Sequence, residues 1–226
     1  IPAVRRIRRL GAADRSQPSL GADGVTDDFT GWCGRNGSMN WKFLREQITL
    51  QSMNPWFVEK PEIMTKQHDG SWKTPPRPEV NFLGYQIQGW KGAPWSTINV
   101  VWIPVEAYVV EATAKDPYYS YGKTQFWIEK RTGTSIYKII ANRAGEHWKT
   151  AHFAFLWDQW WMGEKEGTKM SFSDASFWHF IDDRVRHATL YDGQSNRKGD
   201  TFPLWYLNPE LSPDFFTLRN MRKMAK

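Results

Sequence analysis

The chain has 226 residues, 40% of them hydrophobic and 24% charged, a balance that suits one globular domain and excludes a disordered chain. The formal net charge is +6, with Arg5, Arg6, Arg8 and Arg9 crowding one end and Arg219, Arg222, Lys223 and Lys226 the other. Aromatic residues reach 15%, with 14 Trp, more than a core of this size needs, so surplus rings are expected at interfaces or ligand walls.

The first segment, IPAVRRIRRL (1–10), reads as a strand, and a chain that opens inside a strand is expected to be a processed or partial piece of something longer. Its arginines form a candidate basic contact surface for nucleic acid, anionic lipid or an acidic protein, and equally suit solubilising tails. Residues 11–40 are rich in Gly, Asp, Ser and Asn and read as a long irregular excursion, of the kind that is functional or docks on a partner. Cys33 lies in that stretch, alone, so no disulfide framework exists and no His partner activates the thiol. The segment 39–50, MNWKFLREQITL, fits a short helix or a strand. Residues 66–80 read as a loop, with Pro75, Pro76 and Pro78 against a regular ladder.

From residue 80 onward strand-length runs follow one another: 80–90, 97–104, 106–113, 123–131, 135–143 and 146–157, each rich in β-branched or aromatic residues. Their short connections imply antiparallel neighbours, and KRTGT (130–134) and NRAGE (142–146) place Gly where a hairpin needs positive φ. Residues 158–178 read as an aromatic loop, and FIDDRVRHATLYDG (180–193) as a last strand. In the C-terminal NPELSPDFFTLRNMRKMAK (208–226), Ser212 and Pro213 mark a helix start, and Phe215, Phe216, Leu218 and Met221 supply a buried face. The expected fold is β-rich α+β within one domain: basic strand and loops over 1–79, an antiparallel meander over 80–190, a C-terminal helix over 208–226. No apolar run approaches the ~20 residues of a membrane-spanning helix, and no secretory leader is recognisable.

The search for chemistry is mostly negative. No GxSxG, GxGxxG or P-loop pattern is present, so no nucleophile elbow and no nucleotide cofactor is indicated. His147 and His152, five apart in one strand, face opposite ways and cannot share an ion. His179, Asp183 and His187 could chelate from a helix at four-residue spacing, but on a strand they spread over roughly two dozen Å. Glu106, Glu111 and Glu129 alternate with Lys and Arg, the pattern of cross-strand pairs rather than of a catalytic carboxylate set. The Arg-rich run is separate from the aromatic runs, which argues against nucleic acid. What remains is an aromatic wall on a sheet with cover wanted on both faces. Trp127, Tyr137, Phe153, Phe155 and Trp157 are the candidate walls of an apolar cavity. No catalytic residue, metal or cofactor is assigned.

The ordered pieces PAVRRIRRL (2–10), DGVTDDFTG (23–31), NWK (40–42), YVVEATAKDPYYSYGKTQFWIEKRTG (108–133), AGEHWK (144–149), RHAT (186–189) and NPELSPDFFT (208–217) resemble a bacterial domain-of-unknown-function family, number thirteen twenty-nine. The resemblance implies a LolA/LolB-like fold: a strongly curved antiparallel half-barrel around an apolar cavity, with helices lining it. It also implies a periplasmic or outer-membrane location in a Gram-negative bacterium. The implied function is non-enzymatic binding of a lipid or other hydrophobic molecule beside an RND-type exporter or another envelope protein. The alternative is an accessory subunit of a larger periplasmic assembly. Members of that family are about twice as long, so the chain resembles their C-terminal half, and an N-terminal half or a partner chain is implied. The stretch ITLQSMNPW (48–56) departs from the family pattern.

Overall fold

The structure, a computed structural model, describes residues 11–18, 21–53, 62–68, 70–73, 81–162, 168–192, 206–207 and 211–224. For residues 12, 62–64, 73, 155–162, 168–177, 191–192, 206–207 and 224 it describes the backbone alone. The strand at 1–10 and the surface of Arg5, Arg6, Arg8 and Arg9 lie outside the described residues.

Ten strands are described: β1 (Met39–Met53), β2 (Glu62–Lys66), β3 (Trp72–Lys73), β4 (Val101–Ala114), β5 (Lys123–Glu129), β6 (Ser135–Ala141), β7 (His147–Met162), β8 (Thr168–Asp182), β9 (His187–Asp192) and β10 (Tyr206–Leu207). They form one sheet whose spine is β1-β4-β5-β6-β7-β8-β9, each neighbour antiparallel to the last. Two short parallel contacts complete it. β2 runs beside the far end of β7, and the last residue of β1, Met53, pairs with Phe155 of β7. The run β1-β4-β5-β6-β7 therefore meets itself at one point, and the sheet is curved into a partial barrel.

The ambiguous segment at 39–50 is a strand because β4 offers it a partner along its whole length, from Met39↔Ala114 to Met53↔Val101. The two runs at 97–104 and 106–113 are one strand, β4, despite Pro104. The carbonyl of Glu106 accepts from Lys130 on the β5 side, so Pro104, two residues earlier, turns its missing N–H to that same edge. The β4–β5 ladder reaches only to Ala107↔Glu129, so no hydrogen bond is lost there.

Three expectations are corrected. Residues 80–90 are not a strand. The Gln86 Oε1 accepts the N–H groups of Phe82 at 2.8 Å and Leu83 at 2.9 Å, bending the chain into a 3-10 turn at Gly84–Gln86. Residues 158–162 and 168–178 are not loop but the outer halves of β7 and β8, paired from Trp157↔Ser173 to Met162↔Thr168. The turn-forming composition there is confined to GEKEG (163–167), and the flanking WWM and KMSF are strand-prone. The predicted last strand is a hairpin, β8–β9, folded at 183–186. In the loop at 66–80, the Trp72–Lys73 pair forms β3 against β2.

A C-terminal helix is present but starts later than expected: behind Ser212, whose side chain makes no cap, Pro213–Phe216 form only a 3-10 turn, and α2 runs over Leu218–Met224. Its apolar face is not buried, however. Phe216, Leu218 and Met221 are exposed, and Phe215 is half-buried against Phe216. The only packing partner of α2 among the described residues is its own 3-10 turn.

The two faces of the sheet follow from cross-strand rows. Trp127, Tyr137, His152, His179 and Leu190 stand side by side on β5 to β9. The next row, Phe126, Lys138, Ala151, Phe180 and Thr189, must point the other way. The irregular excursion at 11–38 covers this second row. Val25 packs on Phe126 and Ile140, and Phe29 meets the Trp178 ring edge-on at 5.6 Å. The bent segment at 81–100 covers part of the first row, with Phe82 and Leu83 on Ala154 and Leu190.

Candidate functional site

The cover over the second row is held by buried charge. The Asp28 carboxylate accepts from the Val25 N–H at 2.9 Å, the Tyr121 hydroxyl at 2.7 Å and the Lys138 ammonium, with both ion-pair side chains 1% exposed. Lys149 donates to the Asp23 carbonyl at 2.6 Å and sits 4.3 Å above the Trp148 ring. Burial lowers the Lys149 ammonium, opposed by Asp28, Asp182 and Asp23. Burial, then the neighbouring carboxylates, push the Tyr119 and Tyr121 phenols up. Arg15 pairs with Asp27, and Tyr119 donates to Asp27 at 3.2 Å. These groups pair with one another, and Asp28, Lys138 and Lys149 are enclosed. They fasten residues 15–28 to the sheet.

The first row is different, because it is open at one end. His152 is stacked between Tyr137, at 5.1 Å and 19°, and Trp102, at 5.7 Å and 12°. Its Nε2 lies 3.0 Å from the Ser52 Oγ, and His179 meets it edge-on at 5.6 Å. Burial drives His152 down to about 4, and burial together with His152 drives His179 down to about 3, so both rings are neutral at pH 7. The Tyr137 hydroxyl donates to the Leu50 carbonyl at 2.6 Å, and burial pushes the phenol up to about 12. The stack is polar in composition and uncharged in practice.

From the stack a strip of apolar side chains runs outward along β1 and β4. Leu50, Ile48 and Trp102 belong to one face, since Ser52↔Trp102, Leu50↔Pro104 and Ile48↔Glu106 are directly opposed pairs. Exposure on this strip is high: Ile48 73%, Leu50 53%, Trp102 43%, with Phe43 and Tyr108 also exposed and in edge contact at 6.1 Å. Lys130 bridges Glu46 at 2.8 Å and Glu106 at 3.3 Å beside it and lies 5.2 Å over the Tyr108 ring.

Of the five predicted wall residues, the structure brings Trp127 and Tyr137 together, half-buried on the cluster of Val105, Ala107 and Ile136. Phe153 is fully buried in another cluster, with Met53, Ala151 and Phe180, and Ile103 touches both clusters. The side chains of Phe155 and Trp157 lie outside the described residues. Sequence reasoning missed Trp102, Ile48 and Leu50. Alternation in QITLQSM was a readable signal for the last two, but only once a strand was assumed.

The other candidates for chemistry resolve into pairs. Glu111 bonds Lys123 at 3.3 Å across β4 and β5, the cross-strand pair that the alternating pattern implied, whereas Glu129 bonds Arg131 at 3.1 Å within its own turn. His147 is exposed, 3.4 Å from Asp183, while His152 is buried on the sheet. The helical alternative for His179, Asp183 and His187 falls, because they lie along the β8–β9 hairpin. His187 instead sits 2.7 Å from the Asp23 carboxylate. Among the described residues no group of His, Cys, Asp and Glu is placed to hold a metal ion. The Cys33 thiol is exposed and donates to the Thr26 carbonyl at 2.9 Å.

No protein-family model and no curated protein matches the chain. Solved structures do. A domain described as that of an outer membrane lipoprotein-sorting protein from Vibrio parahaemolyticus aligns with 99% of this chain at 14% identity and a TM-score of 0.51. A LolA superfamily protein from Nitrosomonas europaea covers 90% at 12% identity and TM-score 0.40, and a DUF1329 family protein from Desulfovibrio piger 51% at 20% and 0.33. The chain spans 63% of the Vibrio domain, less than two thirds of its length. At such identities it is the fold that is shared, and the first match carries it. The chain shares the fold of that domain, a curved and mostly antiparallel sheet of the kind that its motifs led one to expect.

Proposed function

We propose that the protein binds a lipid or another hydrophobic molecule on the aromatic side of its curved sheet, without catalysis, in the periplasm or at the outer membrane, in the service of envelope transport. The observation that carries this reading is the exposed apolar strip of Ile48, Leu50 and Trp102, continuous through Trp102 with the buried His152 and half-buried Tyr137 stacked behind it. Water-exposed apolar patches of this kind mark interaction sites. An acyl chain laid on the strip ends against flat, neutral rings, with Lys130 beside it for a headgroup. Tyr137 and Trp127 are the inner walls in this reading, and Phe153 is their support. Phe155 and Trp157 continue the β7 line and are proposed as further wall residues. Arg5, Arg6, Arg8 and Arg9 are proposed as a basic contact surface.

The test is binding of dodecanoate and of a brominated fatty acid, read by Trp fluorescence, together with native mass spectrometry of the purified protein. Quenching by the brominated chain that the double substitution Ile48→Glu with Leu50→Glu weakens at least about tenfold supports the reading. Protein that neither carries nor takes up any apolar ligand sinks it. The same strip favours a second reading, an accessory subunit of a larger assembly in which a partner chain covers Ile48 and Leu50. Size-exclusion of native material separates the two: a stoichiometric complex indicates the subunit, a ligand-loaded monomer the carrier.

A further inference from the structure

A second concavity lies on the other side of the sheet, at the margin of the N-terminal cover. It is an open cleft of about 440 Å³ whose walls are the rings of Trp32, Trp41 and Phe126. Trp32 stands nearly perpendicular to Trp41, at 86° and 5.6 Å, and to Phe126, at 86° and 6.1 Å. Both indoles are anchored by Asn36. Its side-chain oxygen accepts from Trp32 Nε1 at 2.9 Å, and its carbonyl accepts from Trp41 Nε1 at 2.8 Å. With their N–H groups engaged, the rings are held still and offer only their faces and edges. The polar groups on the lining are neutral: Thr30, Asn36 and Ser135.

Ser135, on the lining, is 8% exposed, and its hydroxyl, enclosed by protein, has no hydrogen-bond partner among the described residues. Buried hydroxyls are ordinarily satisfied. Gly31, at φ 91°, presses the loop so close that a Cβ there would clash with the Ser135 side chain, which keeps the hydroxyl at this spot.

We propose that this cleft is a binding site for a neutral pyranose ring. Two features select that class. Among the described residues the cleft has no charged lining residue, which disfavours a phosphate or carboxylate. Its walls carry the fixed rings of Trp32 and Trp41, whose negative quadrupole attracts the polarised C–H face of a sugar, while hydroxyls on the ring edge meet Thr30. This inference is independent of the apolar strip on the other side of the sheet.

The experiment titrates the whole protein with cellobiose and with N,N′-diacetylchitobiose, read by Trp fluorescence and by calorimetry, with and without dodecanoate. Saturable binding of either disaccharide, unchanged by dodecanoate, is expected. Trp41→Ala should weaken it about tenfold, the scale of one lost ring contact. Trp32→Ala, which removes the facing ring, should weaken it by a similar factor. No saturation with either disaccharide overturns the proposal, as does displacement of the sugar by dodecanoate, or an affinity that Trp32→Ala and Trp41→Ala leave untouched. A protein that binds the sugar but no fatty acid refutes the lipid reading and leaves this one standing.

Discussion

At the scale of single residues, His152 and His179 make the fold acid-sensitive in a defined window. An unfolded histidine titrates near 6.5, whereas burial holds folded His152 down to about 4 and His179 to about 3. Between those limits the unfolded chain binds more protons, so stability falls as pH drops from about 6.5 towards 4 and levels off once the folded rings protonate too. The loss from His152 should amount to a few kcal/mol. His152→Gln should flatten the slope of urea midpoint against pH between 6.5 and 4.5, a range above the ordinary titration of carboxylates. A second residue-scale prediction separates core from binding wall. Phe153 is fully buried, so Phe153→Ala should cost about 3–5 kcal/mol in a denaturation curve. Trp102 is 43% exposed, so Trp102→Ala should cost much less stability and show its effect in ligand uptake. The pairing of Lys138 with Asp28 was invisible in the sequence: Lys138 sits in SIYKIIA with the look of a solvated lysine, and its partner lies 110 residues away.

At the scale of elements, the N-terminal excursion was legible as irregular, from its Gly, Asp and Asn content, but not as a lid on the sheet. What makes it a lid is that the Asp28 carboxylate pairs with buried Lys138, the Asp27 carboxylate accepts from Tyr119, and the Asp23 carbonyl accepts from buried Lys149. Removing one partner of a buried pair leaves the other charge stranded. Asp28→Ala should therefore cost about 3–5 kcal/mol and increase amide exchange across residues 21–33, measured by hydrogen exchange. Gly31→Ala should destabilise by about 1–3 kcal/mol, because φ 91° is strained for alanine and its methyl meets Ser135. The strands of β4 to β6 could be read from alternation and hairpin glycines. The outer halves of β7 and β8 could not, because Trp157 to Met162 alternates poorly and long-range pairing decided them.

At the scale of the whole molecule, the surplus of aromatic side chains is divided between two sides of one curved sheet. One side holds the open stack of Trp102, His152 and Tyr137, the other the crossed rings of Trp32, Trp41 and Phe126. A ligand that binds only the folded chain should raise its stability by about 2.7 kcal/mol at a concentration a hundred times its dissociation constant. In a melt of a chain this size that corresponds to several degrees, at about 2–4 °C per kcal/mol. A fatty acid and a neutral disaccharide added together should raise the melting temperature by the sum of their separate shifts, because the sites share no residue. A sum well short of that would mean one site rather than two.

The sequence by itself determined that this is a β-rich chain with antiparallel hairpins, an irregular N-terminal stretch and more aromatic surface than its core requires. Those properties are set by local backbone preference, side-chain alternation and composition, all of which act over a few neighbouring residues. Only the tertiary structure decided that β1 returns to touch β7, that His152 is stacked between Tyr137 and Trp102, and that the N-terminal stretch covers the sheet through Asp28 and Lys138. Each of these depends on groups that are distant in the chain and brought together by sheet curvature, which no local pattern encodes.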